Sequence, residues 1–141
     1  MTAATATPTV VPPSPDADSA FFWAGLREHR LLLQQCADCA RFRFPAMPSC
    51  PYCASMTSTV HESKGTGTVY AWIVVRRPFD PAFTNDVPYI LATVDIDEGG
   101  RTVGRLVGTD KPEFGMRVSA VFHDHADWTE LRFQPSTSKA T

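Results

Sequence analysis

Four cysteines lying between positions 36 and 53 constrain this chain more than any other feature in it. Cys36-Ala37-Asp38-Cys39, ten intervening residues and Cys50-Pro51-Tyr52-Cys53 spell C-x2-C-x10-C-x2-C. A C-x2-C turn points two sulfurs the same way, and two such turns supply the four thiolates that zinc takes in closed structural sites. No coordination position is left for water, so the metal expected here is structural and not catalytic. A segment of about 35 residues buries too little apolar surface to fold unaided, whereas zinc binding to finger peptides contributes roughly 10 to 16 kcal/mol. The spacing therefore predicts a ribbon whose core is one zinc held by Cys36, Cys39, Cys50 and Cys53.

Three other uses of the cysteines remain open. Cys50-Pro51-Tyr52-Cys53 is letter for letter the redox pair of glutaredoxins, whose first thiolate is activated where a strand runs into a helix. Here Met47-Pro48-Ser49 precedes the pair and the β-type run Thr57-Ser58-Thr59-Val60 follows it, a setting with no helix to lower a thiol pKa. Disulfides are a second use, weakened by an expected reducing, cytoplasmic setting. An iron centre is the third.

The remaining chain reads as an ordinary globular one, with 43% hydrophobic and 20% charged residues. The formal net charge is −2, and four thiolates with one divalent zinc lower it further, so no global charge draws it to nucleic acid. Residues 1–18 hold four prolines and little to bury, and a disordered tail is expected there, with another over 136–141. No stretch approaches the length of a membrane span.

In chain order, Asp18 or Ser19 can cap a short helix running to about Arg30, with Phe22 and Leu26 one turn apart. His29 near its end is a fifth possible metal ligand, set against a plain helix-end role. Leu31 to Gln35 and Arg41 to Phe44 then read as ribbon strands, completing a segment over 19–63. Arg41 and Arg43 are expected on the strand face away from the phenylalanines, either solvated or offsetting the charge of the thiolates. Over 64–135 come five β-type runs: Thr66 to Val75, Tyr89 to Ile96, Arg101 to Val107, Met116 to Phe122 and Trp128 to Phe133. The Asp97-Glu98-Gly99-Gly100 turn joins the second and third, and five short antiparallel strands suit a small barrel of the OB type. The fold class is thus mainly β: a short N-terminal helix, a four-cysteine zinc ribbon and a five-stranded OB-fold barrel.

The first barrel strand is apolar on both faces, which calls for a cover over its outer side, from the helix or from a partner. The connection from Arg76 to Pro88 is long for a barrel and carries Phe79 and Phe83 among three prolines, the marks of a binding loop. Trp72, Phe79 and Phe83 are the candidate partner-binding residues. His123-Asp124-His125 reads as a solvated hairpin end. No nucleophile with a neighbouring base, Gly-rich phosphate loop or carboxylate pair stands out.

Phe22-Trp23-Ala24-Gly25-Leu26-Arg27-Glu28, Leu31 to Cys36, the two C-x2-C pairs, Gly67-Thr68-Val69-Tyr70 and Val103-Gly104-Arg105-Leu106-Val107-Gly108 together resemble a known family. It is that of the acyl-CoA-associated proteins joining a rubredoxin-like zinc ribbon to an OB-fold, and the resemblance runs from about Phe21 to Phe133. It implies a small non-catalytic subunit in a hetero-oligomer with a thiolase, a lipid-transfer-type aldolase or an enoyl-CoA hydratase. Such complexes break down acyl-CoA esters, including those of steroid side chains and aromatic acids. Contact with CoA itself would need cations for its phosphates, and Lys64, Arg76, Arg77, Arg101 and Arg105 are the candidates.

Two further classes compete with this auxiliary role. Zinc ribbons and OB barrels both serve in nucleic-acid binding, where Tyr70, Trp72, Phe79 and Phe83 could stack bases, though the negative charge opposes it. A freestanding CoA-dependent enzyme lacks a visible activated nucleophile.

Overall fold

The structure is a computed structural model that describes residues 9–137, so parts of both expected tails lie outside the described residues. One helix, α1 (Ala20–Arg27), precedes a three-stranded sheet of β1 (Leu32–Cys36), β2 (Phe42–Arg43) and β3 (Ser58–Glu62), with β1 in the centre. β4 (Thr66–Val75), β5 (Tyr89–Ile96), β6 (Arg101–Leu106), β7 (Arg117–Asp124) and β8 (Thr129–Pro135) then close a barrel in the order β4-β5-β6-β8-β7. The fold is mainly β, as the sequence predicts.

The helix is shorter than the expected run to Arg30 because the chain turns back at its end. Arg30 N–H donates to Gly25 O at 2.9 Å and His29 N–H to Leu26 O at 2.9 Å, the paired bonds of a Schellman cap. His29 occupies the left-handed position with φ 57°, where glycine is usual. Its ring is held in place by stacking on Phe122 at 5.3 Å and by hydrogen bonds from Nε2 to both Asp124 oxygens at 2.9 Å. At the other end Ser19 takes the cap position, yet its hydroxyl is engaged by Asp16 and not by the helix.

Ribbon, helix and barrel share one apolar core. Phe22 and Leu26 from α1 and Leu31 and Leu33 from the start of the ribbon join Val69, Val94, Val118, Leu131 and Phe133 of the barrel in a single cluster. Alternation on β5 is strict, with Ile90, Ala92, Val94 and Ile96 buried and the residues between them half-exposed. On β4 the alternation breaks at a bulge between Val69 and Ala71, which leaves Tyr70 as the extra residue. The expected division of that strand into two fixed faces therefore fails beyond Val69: Trp72 pairs with Ala92, while Ala71 and Ile73 pair with Thr93 and Leu91.

The β5–β6 hairpin connects barrel to ribbon. Gly99 and Gly100 have φ 135° and 85°, and a Cβ on Gly99 would meet Phe42 at 3.0 Å. Glu98 accepts from Ser63 Oγ at 3.1 Å and from Lys64 N–H at 3.0 Å, fixing the crossing from β3 to β4.

Candidate metal centre and partner-facing surfaces

Two loops of the same design carry the cysteines. Ala40 N–H donates to Cys36 O at 3.1 Å and Ala54 N–H to Cys50 O at 2.9 Å, and both alanines are left-handed, with φ 62° and 63°. Each turn thereby curls so that both its sulfurs face one point. The four Sγ atoms lie within 4.8 Å of one another, and the Cys36–Cys53 and Cys39–Cys50 sulfurs are each 3.6 Å apart. A tetrahedron with metal–sulfur bonds of about 2.3 Å has sulfur–sulfur edges of about 3.8 Å, so the four cysteines are positioned to bind one zinc. Amide hydrogens already point at the sulfurs: Cys39 N–H lies 3.5 Å from Cys36 Sγ and Tyr52 N–H 3.4 Å from Cys50 Sγ. The Cys39 amide, against desolvation and with the Asp38 amide, draws the Cys36 thiol down to about 6. Its neighbour Cys53 is pushed up to about 12, the Ser55 amide being outweighed by the Cys36 sulfur, burial and the other two sulfurs, so the metal-free pair shares one proton. His29 is no fifth ligand, because its ring is committed to Asp124 and Phe122.

Of the two ribbon arginines, Arg43 departs from the expected solvated face and Arg41 keeps to it. Arg43 is only 3% exposed; it donates from Nε to Gln34 Oε1 at 2.9 Å and from Nη2 to Met47 O at 3.2 Å. β2 is two residues long, and its guanidinium is buried where the phenylalanine neighbours are only half-buried, the reverse of the solvated face the alternation suggests. Arg41 is exposed and lies over the Tyr52 ring of the second cysteine loop at 4.6 Å.

The candidate CoA-binding cations do not converge. Arg76 and Arg105 line one cleft of about 450 Å³ together with Tyr89, Pro88 and Thr109. Arg105 lies over the Tyr89 ring at 4.2 Å and reaches Asp86 at 3.2 Å. Arg101 stands on the other end of the strand, over Tyr70 at 3.5 Å and bonded to Asp95 at 2.6 Å. Lys64 sits at the ribbon–barrel crossing, and Arg77 is exposed on the loop.

Among the candidate partner-binding aromatics, Phe79 is 85% exposed, Phe83 is half-buried with its ring 6.2 Å from Tyr89, and Trp72 leans on Phe114 at 4.6 Å. The sequence reading missed a second aromatic group, Trp23 and Trp128, whose rings are 6.3 Å apart beside α1. It also missed that the His123-Asp124-His125 end is structured: His125 stacks on Trp128 at 4.1 Å and bonds Glu130 at 3.0 Å. The spacing of tryptophans 105 positions apart carries no signal for such a contact.

Comparison with known proteins then places the chain. Residues 23–56 match the ChsH2 rubredoxin-like zinc ribbon domain, and residues 60–123 match the ChsH2 C-terminal OB-fold domain. A chain of the solved Ltp2-ChsH2(DUF35) aldolase is 38% identical, with a TM-score of 0.79, over 88% of this chain and 98% of that one. The chain belongs to the ChsH2/DUF35 family. A DUF35 domain-containing scaffold protein of Methanocaldococcus jannaschii is 35% identical over 71% of this chain and 73% of its own length. The 3-oxo-4,17-pregnadiene-20-carboxyl-CoA hydratase alpha subunit of Mycobacterium tuberculosis is 36% identical over 87% of this chain. The chain spans well under half the length of the hydratase subunits it matches, 39% in that case. Among the described residues, no helix is long and apolar enough to cross a membrane.

Proposed function

We propose that this chain is a non-catalytic, zinc-containing subunit that docks on a thiolase-superfamily enzyme, a thiolase or a lipid-transfer-type aldolase, in the degradation of acyl-CoA esters. Steroid side chains and aromatic acids are the substrate classes in view, and the cytoplasm, where thiols stay reduced, is the compartment. The observation that carries the reading is the near-complete match to the DUF35 chain of an aldolase complex, in which 98% of that chain is covered. Chemistry supports it from the other side. Four thiolates close the metal, so no coordination position is offered for an activated water.

Within such a complex the loop from Arg76 to Pro88 supplies the anchor, with Phe79 free to enter a pocket of the partner. Direct contact with CoA is assigned to Arg76 and Arg105, because two of the five cations meet there in one cleft, beside the Tyr89 ring. The nucleic-acid reading draws no comparable support. With a formal net charge of −2 the chain offers a phosphate backbone no overall attraction. The test is a matched assay of the partner aldolase with and without this chain. Raised solubility or turnover with the chain, and no acyl-CoA cleavage by the chain alone, are the expected results; turnover by the isolated chain overturns the auxiliary role.

A further inference from the structure

The outer surface of β4, β5 and β6 is an apolar strip that the rest of the chain leaves open. Register places Ala71 opposite Thr93, Ile73 opposite Leu91 and Thr93 opposite Val103, all outside the barrel. Ile73 and Val103 are 58% and 59% exposed. Helix α1 packs mainly on β1 and β8 and borders the strip only at its Leu91 and Val103 side, while the hollow over Ala71 and Ile73 of β4 is lined by no helix residue.

Two hollows meet on the strip. One, of about 190 Å³, lies over Ala71, Ile73, Thr93 and Trp72; the other, of about 270 Å³, lies between α1 and the barrel, against Trp23, Phe44 and Trp128. Leu91 and Val103 line both, so they form one groove. Its ion pairs lie at its ends: Asp95 holds Arg101 at one, and Asp86 and Glu130 hold Arg105 and Arg132 at the other, where the Nε atoms of both arginines are buried without a partner. Between those ends the hollow over Ala71, Ile73, Leu91, Thr93 and Val103 holds no charged side chain, so an ionised group seated there would lose its water without a counter-charge.

We propose that this groove is the seat for an uncharged, apolar segment of the aldolase-type partner subunit. The inference rests on the auxiliary-subunit reading and adds to it the barrel face that is covered. Continuity favours the partner as occupant. Asp86 belongs to the loop whose Phe79 is assigned to the same partner, and its ion pair with Arg105 joins that loop to the end of the groove. The chain's own proline segment is already placed elsewhere, with Pro12, Pro13 and Pro15 lining a separate hollow on the Ala20 and Ala24 side of Trp23.

The experiment co-expresses the tagged chain with the Ltp2-like aldolase subunit of the same organism and measures the affinity of the pair. Ile73→Asp and Val103→Asp place a charge on exposed positions of the groove and are expected to weaken the pair by at least about tenfold. Val103→Leu keeps the groove apolar and is expected to retain binding, as is Val60→Asp on the exposed ribbon edge. Zinc content and melting temperature should match the unsubstituted chain in all four. Undiminished binding by both aspartate variants overturns the groove while leaving the complex standing. Failure of the unsubstituted chain to form any complex removes the auxiliary reading, and the groove with it. A dimer of the chain alone that Val103→Asp dissociates, with aldolase binding intact, assigns the groove to a second copy and overturns the proposal.

Discussion

Arg43 Nε donates to Gln34 Oε1 at 2.9 Å inside the ribbon, and the same oxygen accepts from Met47 N–H at 2.9 Å. The Gln34 amide nitrogen completes the set, donating to Met47 O and Ser58 Oγ at 3.0 Å each. One glutamine on β1 thus ties together β2, the turn after it and β3. Gln34→Ala would strand a buried cation and a buried amide, a cost of at least about 2 kcal/mol. A lower melting temperature and faster zinc loss to a chelator are the readouts.

Cys39→Ser and Cys50→Ser each remove one thiolate from a closed set of four. Both are expected to strip the zinc and loosen the ribbon, and the shared core carries that damage to Leu31 and Leu33. Elemental analysis of reduced protein should find one zinc per chain before substitution and none after.

Ala40 and Ala54 hold left-handed backbones that glycine adopts without the Cβ penalty. Ala40→Gly and Ala54→Gly are therefore expected to keep or improve metal retention, by up to about 1 kcal/mol each after the entropy of glycine is counted. A valine at either position should do the opposite. Competition against a calibrated chelator separates the two.

Asp97 accepts from Arg117 at 2.7 and 2.6 Å and from Thr66 Oγ1 at 2.7 Å, and the Arg117 guanidinium lowers its pKa from 3.8 to about 2. A depressed carboxyl stabilises the fold above its unfolded pKa and loses that contribution as pH falls through the folded value. Asp97→Asn should cost at most about 2 kcal/mol at pH 7. The gap to the unsubstituted chain should hold down to about pH 4 and close toward pH 2, as followed by denaturant unfolding.

Phe79→Ser removes an almost wholly exposed ring, so the fold should not register it. The auxiliary reading expects the combined Phe79→Ser and Phe83→Ser chain to lose partner binding with zinc content and β-structure intact. Equal co-purification of that chain would move the interface off the loop.

The cysteine spacing, the five β-runs and the Gly99-Gly100 turn were legible in the sequence because each rests on a local rule. Metal ligation needs a fixed interval, strands need alternation, and a tight turn needs residues tolerant of positive φ. Even the buried and exposed positions of β5 follow from the period alone.

What the sequence could not decide is where tertiary packing overrides that period. The bulge at Tyr70 shifts which side chains of β4 face out, because one extra residue reverses the parity of the residues after it. Arg43 is buried with Gln34 and the Met47 carbonyl holding its Nε and Nη2, partners that strand alternation does not reveal. The five candidate cations were equal in the sequence, and only barrel closure set Arg76 and Arg105 in one cleft and carried Arg101 away from it. Likewise Trp23 meets Trp128 only because α1 packs on β8, a contact between chain ends that no local spacing encodes. Local rules determined the elements and the metal ligands; the pairing of distant strands determined which surface is left for a partner.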